Sequence, residues 1–107
     1  MAVGTQALFN NTGSANLAVG FRTLFFNTTG HNLTGIGAGA LYKNTTGIFN
    51  TAIGAGALNS NTTASGNTAT GYQALTSNSI GGIENVANGY QALFHNTSGH
   101  FNTAVGY

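Results

Sequence analysis

The chain repeats a unit of about seventeen residues along its whole length. The consensus unit reads N-T-A-V-G-Y-Q-A-L-F-x-N-T-T-G-x-x, and its first glycine returns every 16 to 18 residues. This motif glycine is found at Gly4, Gly20, Gly37, Gly54, Gly71, Gly89 and Gly106. Such a period is typical of solenoids, in which each unit packs only against its neighbours. The repeat therefore restricts the fold more than any other feature of the sequence.

The length and composition of the unit favour a β-solenoid over a helical repeat. Seventeen residues are too few for a helical hairpin, and glycine, threonine and asparagine all have low helix propensity. In a parallel β-solenoid one unit forms one coil, and coils stack about 4.8 Å apart. We expect "NTAIG" (residues 50–54) and "GALYKN" (residues 39–44) to form strands, with "NTTG" (residues 44–47) as a turn. The prediction is all-β: a parallel β-solenoid, or β-roll, of about six coils that forms one repetitive domain over residues 1–107.

Stacking would align the corresponding residues of successive coils in rows parallel to the solenoid axis. A row of leucines is the one reliably large apolar row, so we expect it to line the interior as a core row. Its members are Leu8, Leu24, Leu41, Leu58, Leu75 and Leu93. A row of asparagines is expected to form a structural ladder, with side-chain amides bonded from coil to coil. Its members are Asn11, Asn27, Asn44, Asn61, Asn78 and Asn96.

Two further rows contain only small side chains. One lies in the "NTAIG" segment and consists of Ala18, Gly35, Ala52, Ala69, Ala87 and Ala104. The other directly precedes the leucines and consists of Ala7, Thr23, Ala40, Ala57, Ala74 and Ala92. Neighbouring residues of a strand point to opposite faces. With leucine inside, the second small row would lie outside and pack against something there, which indicates a partner chain.

Charged side chains make up only 3% of the chain, and the formal net charge is +1. Arg22, Lys43 and Glu84 are the only members of this group. A charged row would place like charges directly opposite one another, which is destabilising, so the low charge suits a stack of coils. It offers no basic surface for nucleic acid or an anionic membrane. No apolar run is long enough to cross a bilayer, so we expect neither a nucleic-acid partner nor membrane insertion by this segment.

The sequence offers little for catalysis or metal binding. It contains no cysteine and no aspartate, and Glu84 is its one carboxylic side chain, so paired-carboxylate and Ser-His-Asp chemistry cannot be built within a chain. His31 and His100 share a row, but four coils would separate them by about 19 Å, too far to share a metal ion. We therefore predict no enzyme, no catalytic residue, no metal site and no cofactor.

Other side-chain rows leave more than one function open. Tyr72, Tyr90 and Tyr107 follow the motif glycine, as Phe21 does. Exposed aromatic rows serve protomer interfaces or stack on sugar rings, so the three tyrosines are candidate ligand contacts. A threonine row would instead suit an ice-binding solenoid, and it consists of Thr34, Thr51, Thr68 and Thr103. A self-assembling, amyloid-like filament is a further alternative.

The repeat loses one residue after Thr12 and gains one at residues 79–82, where a bulged turn is expected.

The units "NTAVG", "NTAIG", "GYQAL" and "NTTG" resemble repeats of trimeric bacterial adhesin heads and phage-type tail-fibre proteins, over residues 2–107. That resemblance implies a left-handed parallel β-roll whose three chains pack around a common axis. It also implies an extracellular location, on a bacterial cell surface or a virion tail fibre. The function it implies is a structural or adhesive fibre segment that supports attachment to a cell-surface receptor or carbohydrate. Because the chain opens with "MAVGTQAL" and closes with "NTAVGY", both within the repeat, we expect a piece of a longer fibre protein.

Overall fold

The computed structural model describes all 107 residues as an all-β parallel β-solenoid of about six coils, without a helix. Each coil contributes one short strand to a single parallel sheet, and the strands lie in chain order. They are β1 (Ala2–Val3), β2 (Leu17–Val19), β3 (Thr34–Ile36), β4 (Thr51–Ile53), β5 (Thr68–Thr70), β6 (Val86–Asn88) and β7 (Thr103–Val105). The predicted fold class is therefore confirmed. No helix is present that could span a membrane.

The sheet register follows the sequence repeat. Ala52 of β4 lies opposite Gly35 of β3 and Ala69 of β5, so equivalent residues are direct neighbours. The middle residue of β2 to β6 is buried, whereas the residues on either side are half-buried or exposed. A methyl group on Gly35 would lie 2.6 Å from Cγ2 of Thr23 on the opposite wall. The first small row therefore faces the interior, where two walls of one coil approach each other.

The second predicted strand, "GALYKN", does not form, and that prediction was wrong. Residues 38–43 form a turn, with positive φ angles of 68° at Gly39 and 52° at Leu41. The Ala40 N–H donates back to the Gly37 carbonyl at 3.1 Å, and the Leu41 N–H donates to the Ala57 carbonyl of the next coil at 3.0 Å. Turn bonds and coil-to-coil bonds thus alternate along this wall. The alternating sign of φ keeps the chain from extending.

The same conformation corrects the expected position of the second small row. All six residues of the leucine row have φ between 49° and 54°. Side chains do not alternate between faces in this conformation, because alternation requires extended backbone. Ala40, Ala57 and Ala74 are consequently buried beside the leucines that follow them. Both rows lie in one hydrophobic core inside the coil. The packing of this row therefore does not require a partner chain.

The motif glycines allow the coils to approach closely where each strand ends. Gly37 has a φ of +123°, a conformation that L-residues with side chains rarely adopt. A methyl group at this position would also lie 2.6 Å from the carbonyl carbon of Gly54 in the next coil. Glycine is therefore required for two separate reasons, backbone conformation and space.

Candidate functional site

The asparagines of the structural ladder form one continuous row of hydrogen bonds. These side chains are fully buried in the four central coils, at Asn27, Asn44, Asn61 and Asn78. Each Nδ2 donates to the Oδ1 of the asparagine in the preceding coil, with distances between 2.5 and 3.2 Å from Asn27 to Asn96. The donors all point the same way along the axis. No buried side-chain nitrogen or oxygen in the molecule lacks a partner.

Each ladder asparagine also closes the turn that follows it. Asn44 Nδ2 donates to the Gly47 carbonyl, three residues ahead, at 3.0 Å. At the missing residue the same bond spans two positions, from Asn11 to Gly13, and at the added residue it spans four, from Asn78 to Gly82. Both bonds are 2.8 Å long. The turn therefore absorbs the deletion and the insertion while the ladder continues.

A second asparagine ladder, which the sequence analysis did not identify, lies at the start of the strands. It consists of Asn16, Asn50, Asn67, Asn85 and Asn102. The Oδ1 of Asn67 accepts from both the N–H and the Nδ2 of Asn85, at 3.0 and 3.1 Å. The signal for this ladder in the sequence is the asparagine that begins the N-T-A-V-G consensus.

Leu33 interrupts this second ladder. Its own N–H still donates to Asn16 Oδ1 at 3.0 Å. A leucine offers no oxygen, however, to the next coil. The N–H of Asn50, a fully buried residue, consequently has no hydrogen-bond partner in the chain. An unpartnered buried N–H is costly, so the interruption is a weak point in an otherwise bonded stack.

The tyrosine row lies on the surface as a stack of rings. Tyr72 and Tyr90 have ring centroids 5.2 Å apart, and Tyr90 and Tyr107 are separated by the same distance. The interplanar angles are 24° and 13°, so the rings face one another. The faces of Tyr90 are therefore covered by its neighbours. A ligand beside Tyr90 would contact the ring edge and hydroxyl group rather than stack on a ring face.

The two side chains that flank the middle residue of each strand form the outer strand face. One row of this face consists of Leu17, Thr34, Thr51, Thr68, Val86 and Thr103. The other consists of Val3, Val19, Ile36, Ile53, Thr70, Asn88 and Val105. Neither row contains a charge. The exposed fraction is 39% at Ile53 and 40% at Val86, so large apolar groups face solvent in the middle of the face.

A second aromatic surface lies on the first three coils. Its members, here called the aromatic–arginine cluster, are Phe9, Phe21, Arg22, Phe25, Phe26 and Tyr42. The rings of Phe9 and Phe25 stack with centroids 5.3 Å apart, and Phe25 continues the stack to Tyr42 at 5.7 Å. Arg22 Cζ lies 5.0 Å from the Phe21 centroid and 5.7 Å from that of Phe25. The guanidinium packed against these rings was not predicted from the sequence.

The remaining ionisable side chains do not converge on a site. His31 packs edge-on against Phe49, and His100 Nδ1 lies 2.7 Å from the Gly81 carbonyl oxygen. Glu84 is exposed on another coil. No group of three histidine, cysteine or acidic residues is close enough to hold a metal ion, and the surface has no pocket.

Comparison with known proteins adds no further identification of the molecule. No protein-family model matches the chain, and no match was found among curated proteins or solved structures.

Proposed function

We propose that this chain is a structural and adhesive segment of a trimeric extracellular fibre, an adhesin head or tail-fibre shaft on a bacterial surface or virion. The observation that carries the proposal is the outer strand face, which runs through all seven strands without a charge and exposes large apolar groups. Exposed large apolar groups of this kind mark interaction sites. Two further copies around a common axis would cover it.

The internal construction of the solenoid is consistent with a structural role in a fibre. The polar interior consists of asparagine rows that run along the axis, and each strand pairs only with the strands of adjacent coils. Units of this kind extend by adding identical coils, so the architecture is suited to a rod that holds a surface at a distance. The long dimension of the segment is 30 Å.

The solution mass tests the trimer. We expect three times the 10.8 kDa chain mass by analytical ultracentrifugation at micromolar concentration. Ile53→Lys places a charge on the outer strand face and should shift the mass toward that of one chain, because three like charges would meet near the axis. Thr63→Lys, on an exposed turn residue away from this face, is the matched control and should remain trimeric. A folded monomer at high concentration contradicts the trimer.

Adhesion is tested separately on a glycan array. We expect the trimer to retain a defined subset of glycans, because its surface presents aromatic rings beside amides and hydroxyls, the groups that bind sugars. Absence of binding to every glycan, in a preparation whose mass is that of a trimer, would leave a shaft without adhesive function.

A second candidate function, ice binding, is favoured by the threonines of the outer strand face. Thr34, Thr51 and Thr68 lie in register on three consecutive strands, and Thr70 lies on the same face beside Thr68. A flat array of methyl and hydroxyl groups at β-sheet spacing can order water. Thermal hysteresis that is lost in Thr51→Lys would support this function. A mass that grows without limit would instead indicate a self-assembling filament.

A further inference from the structure

We infer that the aromatic–arginine cluster is a binding site for a carboxylate-bearing saccharide. This inference rests on the proposed adhesive function and names the class of ligand and the place where it binds. The cluster combines exposed aromatic rings with the only guanidinium of the chain. The tyrosine row, by contrast, contains no charged side chain.

Arg22 is held in place without being neutralised. Its Nε donates to Gln6 Oε1 at 2.7 Å, which is the one hydrogen bond of its side chain. Its Cζ lies within 6 Å of the Phe21 and Phe25 ring centroids, the range in which a cation is attracted to an aromatic face. The two terminal nitrogens have no partner in the chain. A guanidinium fixed in this way loses little side-chain entropy on binding. It can donate two parallel hydrogen bonds to a carboxylate.

The charge around Arg22 favours an anionic ligand. Lys43 is exposed on the next coil, opposite Phe26 in the row, and adds a second positive charge. The single acidic side chain, Glu84, lies three coils farther along the axis, roughly 14 Å away at the usual coil spacing. No carboxylate of the chain therefore competes for the guanidinium.

The aromatic rings indicate a flat, partly apolar ligand. Phe9 is 64% exposed and is covered by Phe25 on one side of its ring, and Phe26 is 43% exposed. Aromatic faces of this kind pack against the C–H face of a pyranose ring, and the amides of Gln6 and Asn10 lie beside them. A peptide that docks as a strand or as a helix would need a free sheet edge or a groove. The surface has no pocket, and this wall of the coil is not a strand.

The repeat itself supplies variants that should fold. Gln73 and Gln91 occupy the row of Arg22 with φ angles of 54° and 55°, the same conformation as the 54° of Arg22. Arg22→Gln therefore removes the guanidinium and keeps a residue that the chain already uses there. By the same argument Lys43→Ser follows Ser60, and Phe9→Thr follows Thr76.

The experiment titrates the parent chain and these variants with oligogalacturonate, and with its methyl ester, by calorimetry at about 50 mM salt to limit screening. We expect the parent to bind oligogalacturonate. Arg22→Gln should weaken binding about tenfold or more, because it removes a charge-assisted pair. Phe9→Thr should weaken it about fivefold, and Lys43→Ser, which removes only a nearby charge, by less. The methyl ester should bind weakly to the parent and equally weakly to Arg22→Gln.

Several outcomes overturn the inference. They are equal affinity of the parent for acid and ester, unchanged affinity in a folded Arg22→Gln variant, and no binding of oligogalacturonate by the parent. Tighter binding of a peptide rich in phenylalanine and glutamate would reassign the cluster to a protein partner. If a trimer still retains neutral glycans on the array, the proposed function stands and only this site is lost. If the trimer binds no glycan on the array, the proposed adhesive function is refuted as well.

Discussion

Replacing Asn61 by aspartate should make the stability of the solenoid strongly dependent on pH. Asn61 is fully buried in the structural ladder. Its Nδ2 donates to Asn44 Oδ1 at 2.8 Å and to the Ala64 carbonyl at 3.0 Å, and its Oδ1 accepts from Asn78 Nδ2 at 3.2 Å. Aspartate has the same shape but no N–H. When ionised, it would place a buried carboxylate oxygen against two acceptor oxygens.

The size of the stability loss follows from the burial of Asn61 and from its lost N–H donors. A protonated aspartate can still donate one bond, so at about pH 3 the variant should lose roughly 1 kcal/mol relative to the parent. Burial beside two oxygens should raise the pKa of the new carboxyl group by about 3 units above its unfolded value of about 3.9. Because the unfolded chain then releases its proton first, stability falls as pH rises from about 4 to about 7. The additional loss at pH 7 is about 4 kcal/mol, at 1.36 kcal/mol per unit.

Urea unfolding followed by far-UV circular dichroism, at one fixed chain concentration, measures this loss. The matched control is Thr63→Asp, because Thr63 is exposed, its side chain makes no hydrogen bond within the chain, and it lies on a turn away from the outer strand face. The parent has one carboxylic side chain, so a new pH dependence belongs to the introduced group. If Asn61→Asp and Thr63→Asp show the same stability at pH 7, the ladder does not contribute as argued.

Four further substitutions test the leucine row and the interrupted ladder. Leu58→Ile should cost about 2–3 kcal/mol, because a β-branched side chain is strained at a φ of 49°. Leu58→Met, which keeps the volume without branching, should cost less than about 1.5 kcal/mol, and equal losses in urea unfolding would refute the strain argument. Leu33→Asn should remain within about 1 kcal/mol of the parent and slow hydrogen exchange at the Asn50 amide, because the new oxygen reaches its N–H. Leu41→Asn, which has no ladder to join, should lose more than about 3 kcal/mol, and similar losses in the two asparagine variants would contradict this interpretation.

The solenoid could be predicted because the repeat period fixes the register. Once coils of equal length stack, Ala52 must lie opposite Ala69, whatever the conformation between them. The conformation of the second wall could not be predicted in the same way. Leu41 belongs to a residue type that rarely adopts positive φ, and that strain is tolerated because the side chain is fully buried and the N–H bonds to the next coil.

The sequence predicts which surface residues share a row, but not how their side chains are arranged. The spacing of Tyr72 and Tyr90 places them in one row, yet only the structure shows that their rings face and cover each other. Arg22 stood out in the sequence as a rare charge, but its contact with Phe25 depends on the direction of a turn residue with positive φ. Row assignment follows from counting, whereas side-chain direction depends on the sign of φ.

The uniform direction of the asparagine bonds makes the solenoid polar along its axis. In the structural ladder, as at Asn61 and Asn78, each amide donates to the asparagine of the preceding, amino-terminal coil. Reversing a single amide would set oxygen against oxygen on one side and N–H against N–H on the other, so the orientation of one side chain fixes that of the whole row. At the structural ladder, a cut between two coils exposes a side-chain acceptor on one face and a side-chain donor on the other. Two such faces are complementary in only one relative orientation, head to tail.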